Sequence, residues 1–88
     1  MTIKPQDVIL KEVLFEMKQI GQYVRITAID PLSGTEVISI GDSSVDTETL
    51  KGMAARKLKY VIAKNRNERN AKWTSKNLAI LLALDQYI

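Results

Sequence analysis

The stretch Tyr23-Val24-Arg25-Ile26-Thr27-Ala28-Ile29, followed at once by Asp30-Pro31-Leu32-Ser33-Gly34, decides the fold. Val24, Ile26 and Ala28 alternate with Tyr23, Arg25, Thr27 and Ile29, the period of two that a strand imposes. Both sets are fairly apolar, so this strand is expected at the centre of a sheet. The five residues after it carry turn chemistry: Asp30 caps, Pro31 presets φ, and Gly34 supplies a left-handed position. A third strand then follows over residues 36–40.

Working upstream, Val13, Phe15 and Met17 fall on one face while Glu16 and Lys18 fall on the other, which predicts a first strand over residues 13–20. Leu14 does not fit the alternation. Gly21-Gln22 separates this strand from Tyr23, and a glycine first in a two-residue loop provides the positive φ of a tight hairpin. Three strands joined by two short turns make an antiparallel meander.

Downstream, Asp42-Ser43-Ser44-Val45-Asp46 breaks the strand pattern, and Ser44, Asp46 or Thr47 can cap a helix with Glu48 in its first turn. Leu50, Met53, Ala54, Leu58, Val61 and Ile62 form a stripe near period 3.6, opposite a lysine- and arginine-rich side. A helix over residues 47–64 would span roughly 27 Å, enough to cross three strands. Gly52 costs it about 1 kcal/mol relative to alanine. Residues 65–72 hold nothing apolar larger than alanine, so they are either a frayed polar extension of the helix or a linker, and a polar, basic linker is the favoured reading. Thr74 as N-cap places Trp73 and Leu78 as a hydrophobic staple, opening a second helix that is apolar on every side through residues 78–84. The expected layout is a βββα core at residues 1–64, a linker at 65–72 and a C-terminal apolar helix at 73–88. The fold class is α+β: a three-stranded antiparallel β-meander packed by one amphipathic helix, plus a C-terminal apolar helix that packs on the sheet or exchanges with a second subunit.

A combination of these features resembles a known family. Phe15-Glu16, Gly21, the run from Val24 to Pro31, Ser33-Gly34-Thr35-Glu36-Val37, Gly41-Asp42, and Leu50 with Ala54-Ala55-Arg56-Lys57-Leu58 are similar to a small group of uncharacterised alphaproteobacterial proteins, a domain-of-unknown-function family (DUF6898-like). The resemblance covers residues 12–64. It implies a bacterial cytosolic protein with a ββ(β)α core, and it carries over no catalytic residue.

Composition narrows the chemistry. The 88 residues include no cysteine and no histidine, which removes disulfides, thiolate chemistry, the usual zinc ligand and the usual triad base. Asp42 with Asp46 and Glu12 with Glu16 fit no calcium loop and are accounted for as caps or solvated strand positions. Gly34 and Gly41 lack the glycine-rich run and following lysine of a phosphate loop. Ser43 and Ser44 have no base to activate them. An enzyme, a cofactor, a metal and a small-molecule ligand are therefore not expected. The longest apolar run is seven residues, against about 20 for a bilayer span, and the N-terminus has no signal-peptide core, so a soluble, cytoplasmic protein is expected. At this length roughly 64% of the chain's surface can be buried on folding, which makes one small core.

Charge is unevenly placed. The net +3 conceals −4 over residues 1–50 and +8 over residues 51–76. Arg56, Lys59, Lys64, Arg66 and Arg69 are the candidate nucleic-acid contacts, through phosphate neutralisation. The plainer alternative is a solvated helix face balanced by acidic strands. Base readout is less expected, because Asn65, Asn67 and Asn70 fall in the linker. Tyr23, Arg25 and Thr27 share a sheet face, yet Tyr23 is the only ring there, so packing explains it better than RNA stacking. Trp73, Leu78, Leu81, Leu82 and Tyr87 are the candidate self-association residues, since a small sheet with one helix leaves a face uncovered and a fully apolar helix needs a second surface. The expectation is a non-enzymatic, small cytosolic binding or assembly module, a homodimer that contacts no membrane. A nucleic-acid-binding accessory protein is the alternative.

Overall fold

In the computed structural model, the backbone of residues 2–85 and the side chains of residues 2–71 are described. Three strands, β1 (Leu14–Ile20), β2 (Tyr23–Asp30) and β3 (Thr35–Asp42), form one antiparallel sheet in the order β1-β2-β3. The alternating central stretch is the middle strand, as its two apolar faces predict. Ile20 lies opposite Tyr23, so Gly21-Gln22 is a two-residue loop. Gly21 has φ 60° and Gln22 a negative φ, the type II′ combination that matches strand twist. Asp30 lies opposite Thr35, and Gly34 closes that loop at φ 74° with its N–H on the Asp30 carbonyl at 2.8 Å.

The Asp30 carboxylate holds the second loop from inside. It accepts from the N–H of Leu32 and of Ser33, each at 3.3 Å, and from Ser33 Oγ at 2.7 Å. Each bond satisfies a loop donor that would otherwise compete for water.

After β3, Asp46 is the cap that begins the helix. Its carboxylate accepts from Thr49 N–H at 3.0 Å and from Thr49 Oγ1 at 2.7 Å. Ser44, also a candidate cap, instead bonds back to Asp42 through both its N–H and its hydroxyl.

The helix α1 (Thr47–Asp85) packs on β2 and β3. Leu50, Ala54, Leu58 and Ile62 are buried against Ile26, Ala28 and Val37. Met53, which the stripe placed with them, is 53% exposed, because the helix turns that position to solvent. Phe15, Ala28 and Val37 stand opposite one another across the three strands and form the central row beneath the helix. The N-terminal segment completes the core, with Val8 buried and Ile3, Leu10 and Val13 packed at its margin. A short 3-10 turn at Pro5–Asp7 leads into Val8.

Two expectations are corrected. Residues 65–72 are helical, not a linker, and α1 is one element where a helix, a linker and a second helix are expected. No glycine or proline follows Gly52, and Glu68, Arg69, Ala71 and Lys72 are good helix formers, so nothing in the segment stops the helix. Thr74 accordingly lies inside α1 instead of capping a new helix. The side chains of Trp73, Leu78, Leu81, Leu82 and Tyr87 lie outside the described residues, and so does the apolar packing expected of residues 73–88.

Candidate functional site

The helix covers one face of the sheet, and the alternation of the strands places a second apolar set on the other. Three-strand rows on that open face are Leu14-Ile29-Glu36, Glu16-Thr27-Ile38, Lys18-Arg25-Ile40 and Ile20-Tyr23-Asp42. Ile40 is 71% exposed, Tyr23 59%, Ile20 53%, Leu14 47% and Ile38 45%. This parity also accounts for Leu14, which broke the alternation only because it belongs to the open face with Glu16, Lys18 and Ile20. Apolar side chains grouped at this density on a small domain are the usual mark of a contact surface.

Charge on the face is mixed. Glu16, Lys18, Arg25 and Thr27 surround a shallow depression at the β1–β2 side. Lys18 stands directly opposite Arg25, a like-charge pair that costs stability in a sheet. Neither has an ion-pair partner among the described residues, where the single salt bridge is Lys51 to Glu48 at 3.9 Å.

The two sheet edges differ. Ser43 N–H donates to Gln22 O at 2.8 Å, which makes Tyr23–Asp42 a non-hydrogen-bonded pair and turns the Tyr23 backbone toward β1. From there the alternation runs outward: Ile38 presents its carbonyl on the outer edge of β3, and Phe15, Met17 and Gln19 present theirs on the outer edge of β1. The Ile38 carbonyl is taken by Lys57 Nζ from the helix, a lysine that blunts that edge. Among the described residues no group bonds to the outer edge of β1.

The basic candidates do not converge. At about 100° per residue, Arg56, Lys59, Lys64, Arg66 and Arg69 spread over roughly 220° of the helix circumference. Lys59 and Arg66 are half-buried, while Arg56, Lys64 and Arg69 are exposed. Arg66 serves the fold, since its charge adds to the forces that hold the Asp30 carboxyl down. Lys51 lies 5.7 Å over the Phe15 ring, a cation–π contact on the core margin. Asn67, assigned by sequence to a linker, is instead a helical residue clamped to Ile3: Ile3 N–H donates to Oδ1 at 2.8 Å and Nδ2 donates to Ile3 O at 2.9 Å.

Ser33 is the main cause of the lowered Asp30 pKa, through its hydroxyl; burial opposes, and the Leu32 and Ser33 N–H groups assist. Asp42 is lowered by the Ser44 N–H and hydroxyl, and Asp46 by the Thr49 hydroxyl and N–H. All three serve turns or the helix cap. Among the described residues no three His, Cys, Asp or Glu side chains converge, and no helix is long and apolar enough to cross a membrane.

Ile38 and Ile40 escaped the reading of the sequence, as did Lys57 and Asn67. The signal for the isoleucines was their parity in β3, out of step with Val37. Lys57 and Asn67 carry no local signal, because their partners lie 19 and 64 residues away.

Fold and surface together define a two-layer α+β domain that presents an open, partly apolar sheet face. Residues 10–65 match the family described as a domain of unknown function (DUF6898), and the chain belongs to that family. The match covers all three strands and the sheet-packed part of α1. No curated protein and no solved structure matches the chain.

Proposed function

We propose that this chain is a small, non-enzymatic assembly module that associates with a second copy of itself through its open sheet. The observation that carries this reading is the face bearing Leu14, Ile20, Tyr23, Ile38 and Ile40, each exposed and interspersed with charges of both signs. A mixed-sign apolar surface complements itself, whereas a polyanion would be met by a face of one sign. The candidate residues Trp73, Leu78, Leu81, Leu82 and Tyr87 belong to the same reading, as added apolar surface in the assembly. A cytosolic, bacterial setting, implied by the family resemblance, is part of the proposal.

Sedimentation equilibrium across the micromolar range tests it. The expected result is a dimer that Ile20→Asp weakens, with Leu81→Asp weakening it further. A monomer throughout that range would overturn the reading.

The second reading is nucleic-acid binding by Arg56, Lys59, Lys64, Arg66 and Arg69, favoured by the net +8 of residues 51–76. It predicts a mobility shift at low salt that weakens steeply as salt rises. No shift at tens of micromolar protein would remove it.

A further inference from the structure

We propose that the open edge of β1 pairs antiparallel with β1 of a second copy about a two-fold axis through Met17, joining two three-stranded sheets into one of six strands. The proposal rests on the self-association reading above and names its edge and its register.

The two edges of the sheet are unequal. Lys57 occupies the Ile38 carbonyl on the β3 edge. The β1 edge leaves the N–H and C=O of Phe15, Met17 and Gln19 pointing outward, in the residue order an added antiparallel strand requires. Such an edge pairs with whatever strand can match it, and β1 matches itself.

Set β1 against its own copy with Met17 opposite Met17. Phe15 then meets Gln19 of the second copy, and these pairs, with the central Met17 pair, exchange six backbone hydrogen bonds across the symmetric interface. Between them fall the non-hydrogen-bonded positions, where side chains approach more closely. There Glu16 meets Lys18 of the second copy, twice by symmetry. Leu14 meets Ile20 of the second copy, also twice, and both lie on the open face beside Tyr23. All seven residues of β1 are paired, and the open-face positions are matched, carboxylate to ammonium and aliphatic to aliphatic.

This register also answers the Lys18–Arg25 repulsion inside each chain. A row that ends in two adjacent cations, Arg25 then Lys18, continues across the interface with a carboxylate, Glu16 of the second copy. A shift by one residue would bring open-face positions opposite helix-face ones, and a shift of the central pair to Glu16 or Lys18 would set like charges face to face. The sequence of β1 thus favours one alignment, and a two-fold interface is the closed form that such self-pairing takes.

Charge-swap variants read the register. Glu16→Lys and Lys18→Glu each place like charges opposite in both halves of the interface and are expected to weaken dimerisation by about tenfold or more. The double variant E16K/K18E restores opposite charges only in the Met17-centred alignment, and is expected to return the dimer to near its original strength. Because the chain has no cysteine, Met17→Cys supplies a single thiol that is expected to form an intermolecular disulfide on mild oxidation. Circular dichroism on each variant confirms that the monomer is folded. A dimer that is insensitive to both single swaps and leaves Met17→Cys unlinked would overturn the β1 pairing while leaving self-association standing. A folded monomer at all micromolar concentrations would overturn both.

Discussion

Asn67 holds Ile3 by both ends of one amide, accepting from its N–H at 2.8 Å and donating to its C=O at 2.9 Å. The side chain thereby does for the N-terminal segment what a neighbouring strand would do. It sets that segment along α1 and brings Val8 into the core. Asn67→Ala removes both bonds and is expected to cost about 1–2 kcal/mol. Hydrogen exchange checks it: amides of residues 3–8 should lose protection while those of β2 keep theirs.

Gly41 lies under Leu50 so closely that a Cβ there would overlap Leu50 Cδ2. The Leu50 side chain fills the space that a side chain at position 41 would take. Gly41→Ala forces the buried Leu50 out of its rotamer and should destabilise by about 1–3 kcal/mol. In urea denaturation, combining it with Leu50→Val should cost less than the sum of the two single changes, because the smaller side chain makes room.

Leu58 and Met53 belong to the same apolar stripe in sequence, yet Leu58 is fully buried and Met53 is 53% exposed. Leu58→Ala should lose about 2–5 kcal/mol, enough to abolish cooperative unfolding in so small a domain. Met53→Ala should stay within about 0.5 kcal/mol of the parent. Thermal unfolding of the two variants, followed in parallel, makes the comparison.

Acid should unfold the protein through its turns and helix cap. Asp30, Asp42 and Asp46 have folded-state pKa values below the ordinary 3.8. Near pH 4 the native state therefore binds fewer protons than the unfolded chain, so these carboxylates stabilise fully above the unfolded value and lose that contribution as pH falls through the folded ones. Melting temperature should hold steady down to about pH 5 and decline below about pH 4. Asp46→Asn, which keeps a capping oxygen but removes the charge, should flatten part of that decline in a pH series of melting curves.

Much of the architecture was legible because it rests on local rules. Strand alternation around Ile26, the Gly21-Gln22 hairpin, the Asp30 to Gly34 loop and the Leu50 to Ile62 stripe depend on residues a few positions apart. Residues 65–72 are helical where a linker is expected, and the reason is related. Lack of an apolar residue argued against order, while helix propensity and the absence of a breaker, which also act locally, continue α1 through it. In the candidate site, the basic residues were legible as a count but not as an arrangement, since their spread around α1 emerges only with the helix in place.

Sequence by itself determined a three-stranded meander covered by a helix, its turn residues, its central strand, and the absence of histidine and cysteine chemistry. Only the tertiary structure decided that Ile38 and Ile40 join Leu14, Ile20 and Tyr23 on an open face, that Lys57 occupies one edge and leaves the other, and that Asn67 fastens Ile3. Periodicity assigns a residue to one side of its own element. Which side is covered, and which backbone groups remain unpaired, depends on elements that are brought together from far along the chain.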